Sequence, residues 1–169
     1  MLKINYKKLL LKKNKIPITC LTAYSKPLAN ILDGKVDLIL IGDSLGTTLY
    51  GMKNTRGVTL DMMKNHGKAV VKNTKSSMTI VDMPYNTYRN KKEALKNAHE
   101  LIDATKADFL KIETDKKNIE IVKYLSENKI RVVSHIGVTP QKFSDFRKIK
   151  SVGKHNRDAE KLLSLAIEL

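Results

Sequence analysis

Short apolar runs alternate with helical patterns along most of the chain. Five runs have the length and composition of buried strands, and they cover residues 16–21, 36–41, 78–81, 108–112 and 130–133. Between them, apolar residues recur every three or four positions, which predicts helices over about 22–32, 59–71, 90–102 and 118–126. The segment 158–169 has the same helical spacing. Strands that are each followed by a helix predict a parallel sheet covered by helices.

Capping residues support three of these elements. Thr59 is a suitable N-cap for the second helix, and Asn90 followed by Glu93 is typical of a capping box at the third. Thr139 and Pro140 have the residue types of an N-cap and first helical position, which predicts a short helical turn there.

Two architectures fit this α/β pattern, an open doubly wound sheet and a (β/α)8 barrel. A barrel typically needs about 250 residues, whereas this chain has 169 residues and five predicted strands. We therefore expect residues 1–169 to form one domain that is either an open sheet or an incomplete barrel.

The charge is strongly positive but is not concentrated in one segment. The chain has 32 lysines and arginines against 17 acids, a net charge of +15, and only five of the 32 are arginines. Nucleic-acid-binding proteins favour arginine and cluster their basic residues on one face, so we expect no specific nucleic-acid partner. Drift toward A/T-rich codons, which enriches lysine, asparagine and isoleucine together, explains the composition at least as well.

Composition also limits the cellular setting. Cys20 is the only cysteine, which excludes an internal disulfide, and no apolar run reaches the roughly 18 residues of a membrane span. The first fifteen residues contain six lysines and no acid, arginine or serine, which favours a short amphipathic helix over a targeting peptide. We expect a soluble, cytoplasmic protein without a membrane partner.

Polar residues follow the predicted strands at the same end. Asp43 and Ser44 follow the second strand, Asp82 follows the third, Glu113 ends the fourth and His135 follows the fifth. Carboxyl ends of parallel strands meet at one edge of a sheet, where ligands bind in both candidate architectures. If the strands are neighbours, Asp43, Asp82 and Glu113 converge.

Three convergent carboxylates predict a cation between them. They would otherwise raise one another's pKa, and all-oxygen ligation suits Mg²⁺. The alternative for Asp43 or Asp82 taken singly is an ordinary helix cap or loop carboxylate.

Lys111 and His135 each leave two interpretations open. Lys111 lies in a strand that should be buried, on the same face as Glu113, so it would pair with Glu113 or an anionic substrate. The alternative is an edge strand that exposes Lys111 to solvent. His135 is either a neutral core histidine or a ligand contact that lines the site.

Five motifs together resemble one enzyme family. They are Leu-Thr-Ala-Tyr at 21–24, the run Val-Asp-Leu-Ile-Leu-Ile-Gly-Asp-Ser-Leu-Gly at 36–46, Val-Asp-Met-Pro at 81–84, Lys-Ile-Glu at 111–113 and His-Ile-Gly-Val-Thr-Pro-Gln at 135–141. In this order and spacing the chain resembles the ketopantoate hydroxymethyltransferase family from about residue 3 to 169. The resemblance implies a (β/α)8 TIM barrel of the phosphoenolpyruvate/pyruvate type, here incomplete, with about five to six of the eight units.

The resemblance also implies an activity and a site. The activity is transfer of a hydroxymethyl group from 5,10-methylenetetrahydrofolate to 3-methyl-2-oxobutanoate, with Mg²⁺, in pantothenate biosynthesis. By position, the metal-site acids are Asp43, Asp82 and Glu113, and the oxo-acid contacts are Asp43, Ser44, Asp82 and Lys111. The family's proton-accepting glutamate falls beyond Leu169. A homo-oligomer, the family's decamer, is implied as well.

Several loop residues depart from the family pattern. They are Ser25, Asn86, Thr87, Thr114, Asp115 and Ser134, most of them where the family has glycine or another small residue. Together with the missing glutamate, these departures leave two hypotheses. The chain is a fragment or a shortened form of the transferase, or it is an inactive remnant or basic binding protein derived from it.

Overall fold

The computed structural model describes residues 4–169, whose strands form one parallel sheet. The strands are β1 (Cys20–Thr22), β2 (Leu38–Ile41), β3 (Met78–Asp82), β4 (Phe109–Glu113) and β5 (Val132–His135). They pair in chain order, β1-β2-β3-β4-β5, and all four pairings are parallel. A doubly wound sheet reverses its strand order at a switch point. The described strands show no such reversal, which favours the barrel over the open sheet.

Helices connect the strands. They are α1 (Tyr6–Lys12), α2 (Lys26–Leu32), α3 (Leu45–Thr48), α4 (Leu60–Val71), α5 (Lys91–Thr105), α6 (Ile119–Glu127) and α7 (Asn156–Glu168). Short 3₁₀ turns cover Thr55–Gly57, Pro140–Lys142 and Phe146–Lys148. Within residues 4–169, no helix is long and apolar enough to cross a membrane.

All three predicted caps occupy the N-cap position of their elements. The side chain of Thr59 accepts a hydrogen bond from the Met62 N–H at 3.2 Å, and that of Asn90 accepts one from the Glu93 N–H at 2.9 Å. Thr139 is the N-cap residue of the predicted turn and Pro140 is its first residue, although the Thr139 side chain makes no capping hydrogen bond. The sequence pattern also did not predict α3.

The predicted strands β1 and β5 begin too far toward the amino terminus. Residues 16–19 are not part of β1, and the Thr19 N–H directly before the strand donates to the carboxylate of Asp37 at 2.9 Å. The Ile130 N–H donates to the Leu125 carbonyl at the end of α6, so β5 starts two residues later than predicted. Local side-chain and helix-end bonds, which apolar periodicity does not reveal, set both starts.

The two faces of the sheet bury different clusters. Outward residues such as Ile39, Val81 and Leu110 pack with the helices in the main core. Inward residues such as Ile80 and Phe109 form a smaller cluster. Alternation along the strands therefore separates a helix-covered outer face from an inner face, as in a barrel.

The basic amino-terminal segment forms the predicted helix. Leu9 of α1 packs against the inner cluster, and the Tyr6 ring lies 6.2 Å from that of Phe109. Lys12 pairs with Asp37 at 2.5 Å, just before β2. Helix α1 thus covers the amino end of the inner face and leaves the carboxyl edge, where the strands end, to the candidate site.

Candidate active site at the carboxyl edge

The structure brings the sequence-predicted residues into one pocket. A cavity of about 580 Å³ lies at the carboxyl edge of the inner face. Among the residues that line it are Asp43, Ser44, Asp82, Lys111, Glu113 and His135. Strand register explains the arrangement: Asp82 is paired with Lys111, and Glu113 with His135. The prediction that the three acids face a common cleft is confirmed, while their roles as ligands stay predictions.

A tight turn after β2 places the first acid. The Asp43 N–H donates to Asp82 Oδ2 at 3.1 Å, which ties the turn to the end of β3. Ser44 then begins the single turn of α3. A Cβ atom at Gly42 would lie 2.9 Å from Ser44 Oγ and 3.6 Å from Asp82 Oδ2, so a side chain there would crowd the two site residues.

Lys111 pairs with Asp82 rather than with Glu113. Its Nζ lies 2.8 Å from Asp82 Oδ1, and the side chains are 15% and 3% exposed. The expected pair with Glu113 was wrong, because a register-paired residue on the adjacent strand is closer than one two positions along the same strand. The exposed-edge alternative was also wrong, since β4 lies between β3 and β5.

Sequence reasoning gave no role to Gln141, which connects the acids. Its backbone N–H donates to both carboxylate oxygens of Glu113, at 3.2 and 3.1 Å. Its Nε2 donates to Asp43 Oδ2 at 2.7 Å and to the Met83 carbonyl at 3.0 Å. The Tyr88 hydroxyl donates to its Oε1. The only sequence signal was its place at the end of the fifth motif.

Two further side chains at the site differ in how firmly they are held. The Tyr24 hydroxyl shares a hydrogen bond of 2.8 Å with Ser44 Oγ, a contact that sequence reasoning also missed. His135 lines the pocket, and its Nδ1 lies 3.9 Å from Glu113 Oε1. That Nδ1 atom is buried without a hydrogen bond to the described chain. Burial and the charge of Lys111 lower the pKa of His135, which favours neutral imidazole.

Burial raises the pKa of all three acids, and the charge of Asp43 adds to the shift at Asp82 and Glu113. Burial raises the pKa of Asp82 to about 6, although Lys111 opposes the shift, and the charge of Asp43 adds to it. Burial also raises the pKa of Glu113 to about 7, against the hydrogen bond from Gln141 and with the charge of Asp43. Burial raises the pKa of Asp43 as well, despite its hydrogen bond from Gln141. The pocket therefore concentrates negative charge that its own donors do not fully compensate.

These pKa shifts predict how stability depends on pH in metal-free protein. A carboxyl whose pKa rises from 4.5 to about 7 on folding stabilises the fold below pH 4.5, and this contribution disappears as the pH rises through 7. The pKa of Asp82 rises from 3.8 to about 6, so its stabilising contribution is likewise lost as the pH rises through 6. We expect the free energy of unfolding, measured with urea and a chelator, to fall between about pH 4.5 and 7.5.

The matched variants for this measurement are Glu113→Gln and Glu127→Gln. Glu113→Gln should flatten the pH dependence because it removes the titrating group but keeps an acceptor for Gln141. Glu127→Gln, at an exposed position at the end of α6, should keep the wild-type slope. An unchanged slope in Glu113→Gln would contradict the raised pKa.

Mg²⁺ binding depends on the oxygen donors that the pocket provides. Within residues 4–169, no group of three or more His, Cys, Asp or Glu side chains is placed to hold a metal ion. Mg²⁺ usually needs only one or two carboxylates, with water and substrate oxygens completing its shell. Asp82 Oδ1 is buried and, apart from its ion pair with Lys111, has no hydrogen bond to the described residues. A carboxylate oxygen of this kind, close to the carboxylate of Asp43 in the same pocket, fits a hard divalent cation.

Comparison of the whole sequence with known families agrees with the motifs. Residues 3–169 match the family described as ketopantoate hydroxymethyltransferase. The chain belongs to this family. Members with that name are transferases, so the predicted enzyme class is confirmed at the level of the family.

Curated relatives in this family carry the name 3-methyl-2-oxobutanoate hydroxymethyltransferase. The relative from Pelagibacter ubique (strain HTCC1062) is 54% identical over 136 residues, which cover 80% of this chain and 53% of the relative. The relative from Rhizobium etli is 43% identical over 147 residues, covering 86% of this chain and 54% of its own length. The chain thus spans about half the length of the curated relatives it matches.

Solved structures with the same fold extend the comparison beyond the family. Oxaloacetate acetylhydrolase matches with a TM-score of 0.57 at 14% identity, over 76% of this chain and 50% of its own. A 2,3-dimethylmalate lyase, a member of the PEP mutase/isocitrate lyase superfamily, gives 0.56 at 13% identity, over 79% and 51%. At these identities the likeness concerns the fold alone, and it confirms the predicted barrel class, of which this chain spans a part.

Proposed function

We propose that this family member transfers a hydroxymethyl group from 5,10-methylenetetrahydrofolate to 3-methyl-2-oxobutanoate, giving 2-dehydropantoate, with Mg²⁺ as the metal. The observation that supports the proposal is that the residues which the family resemblance assigns to the site line one pocket of a chain that belongs to the family. They are Asp43, Ser44, Asp82, Lys111 and Glu113.

The pocket suits a small, branched 2-oxo acid. Its polar side holds the acids and Lys111, while Leu40, Val133 and Phe146 form an apolar side. We assign the carboxylate and keto oxygens of the substrate to the polar side and its branched alkyl group to the apolar side. A volume of about 580 Å³ exceeds the size of this acid, which leaves space for the reacting end of the folate.

The chemistry assigned to the site is enolisation at C3 followed by carbon–carbon bond formation. Asp43 and Asp82 would hold Mg²⁺, with Glu113 close by; bound there, the ion would act as a Lewis acid on the keto oxygen. The Lys111 ammonium, held in place by Asp82, stabilises the negative charge that develops on that oxygen. Ser44 Oγ, already bonded to Tyr24, can donate its own proton to the substrate carboxylate. In the family pattern, the group that accepts the C3 proton falls beyond Leu169.

Exchange of the C3 proton tests the proposal without the folate. In ²H₂O with Mg²⁺, a form of the protein that includes the proton-accepting group should exchange the C3 proton of 3-methyl-2-oxobutanoate, and this can be followed by proton NMR. The same assay is run on residues 1–169 joined to the carboxyl-terminal half of the Pelagibacter ubique relative, which supplies the strands that this chain does not span. A folded chimera without exchange, beside an active relative, would overturn the proposal in favour of an inactive remnant.

A further inference from the structure

Gln141 holds three elements of the candidate site together. The residue is 3% exposed, and its polar groups contact Asp43 after β2, Met83 after β3 and Glu113 at the end of β4. Asp43 and Gln141 are 98 positions apart in the chain. Among the described residues, no other hydrogen bond joins Asp43 to the segment after β5.

The orientation of the Gln141 amide is determined by its partners. Oε1 accepts from the Tyr88 hydroxyl, and Nε2 faces two acceptors, Asp43 Oδ2 and the Met83 carbonyl. A flipped amide would place its oxygen against a carboxylate and a carbonyl, which is repulsive. Tyr88 therefore keeps the amide nitrogen directed at Asp43.

Hydrogen bonds rather than close packing hold this side chain. Gln141 lines a second cavity of about 290 Å³, shared with Tyr85, Tyr88 and Glu113. A side chain at position 141 without an amide could move into this space. Asp43 would then lose the side-chain donor that now fixes its carboxylate, whereas the backbone N–H at position 141 would remain a donor to Glu113.

We propose that Gln141 is a positioning residue of the cation site, which orients Asp43 and Glu113 for a divalent ion. This inference rests on the proposed function, because it takes these acids as the ligands. By binding one oxygen of Asp43, Gln141 leaves the other oxygen for the ion. Outer partners that bond to metal-ligating groups typically contribute 10- to 100-fold to metal affinity.

Calorimetric titration of the purified protein with Mg²⁺ at pH 8 tests the inference. Gln141→Met, of similar size but without an amide, should weaken Mg²⁺ binding by about 10- to 100-fold. Tyr88→Phe should weaken it less, because the amide remains but loses the hydroxyl that orients it. The double variant should bind no more weakly than Gln141→Met alone, since Tyr88 acts through Gln141.

Tyr85→Phe is the matched control. Tyr85 lines the same second cavity, but its hydroxyl accepts a hydrogen bond from Arg56 and does not contact Gln141. The Tyr85→Phe variant should therefore bind Mg²⁺ as tightly as the wild type. The unfolding midpoint of each variant is measured with chelator, so that a loss of stability is separated from a loss of affinity. If Gln141→Met does not fold, the Mg²⁺ affinities of Tyr88→Phe and Tyr85→Phe are compared instead. Equal affinities in these two variants would then overturn the positioning role.

The outcomes separate this inference from the proposed function. Wild-type protein that binds no Mg²⁺ would overturn both. Wild-type binding with unchanged or tighter binding in Gln141→Met would overturn the positioning role alone, even if the variant melts at a lower temperature. Additive effects in the double variant would show that Tyr88 acts independently, and would overturn the proposed coupling through the amide.

Discussion

Replacing Asp82 with asparagine is expected to reduce Mg²⁺-dependent exchange of the C3 proton by about 100-fold or more. Asparagine keeps an oxygen that can accept the Asp43 N–H, so the turn after β2 is retained. It removes the negative charge that pairs with Lys111 and that would bind the ion. The measurement is proton NMR in ²H₂O, on the form of the protein that shows wild-type exchange.

Asp37 provides a matched control at the other end of the sheet. It is also buried and paired with a lysine, Lys12, at 2.5 Å, but it lies before β2 rather than at the carboxyl edge. Asp37→Asn should lower stability and leave the exchange rate of the folded protein unchanged. Equal exchange in Asp82→Asn and Asp37→Asn would remove Asp82 from the reaction.

Replacing Lys111 with methionine is expected to lower the free energy of unfolding by about 3 kcal/mol at pH 8. Lys111 lowers the pKa of Asp82, so its loss leaves a buried carboxylate without its cation. The pKa of Asp82 is about 6 in the wild type, and at pH 5 this group is mostly protonated. The loss should therefore shrink to about 1 kcal/mol or less at pH 5. Urea unfolding at the two pH values, with chelator present, measures the difference.

Lys12→Met supplies the comparison for that pH dependence. Burial raises the pKa of Asp37, but hydrogen bonds from Lys12 and Thr19 outweigh it and bring this pKa below its ordinary value. Asp37 therefore stays charged from pH 5 to 8, and the loss in Lys12→Met should be similar at both values. A Lys111→Met loss that is likewise independent of pH would contradict the assigned Lys111–Asp82 pair.

The positions of the acids could be predicted because strand physics fixes them. Buried parallel strands appear in the sequence as apolar runs. A polar residue that follows each run must lie at the carboxyl edge of the sheet. Two-residue periodicity then places Lys111 on the face of Glu113. Strong local patterns such as Asn90 with Glu93 likewise identified α5 and its cap.

The remaining features depend on contacts that a single sequence does not encode locally. The partner of Lys111 follows from the register between β3 and β4, which pairs it with Asp82. The role of Gln141 requires the turn after β5 to fold back over three strand ends. Neither the register nor this return of the chain follows from periodicity, so both needed the structure.

The 98-residue separation between Asp43 and Gln141 means that the complete pocket depends on strands that have already paired. The bond joining them can form only after β2, β3 and β4 are aligned, because the same amide also contacts Met83 and its backbone contacts Glu113. Contacts between distant residues are formed at a high entropic cost. Releasing the turn at 139–142 breaks its own hydrogen bonds, including those of Gln141, but leaves the strand ladder intact. The pocket therefore opens at a lower free energy than the sheet, and amide hydrogen exchange should be faster in this turn than in β3.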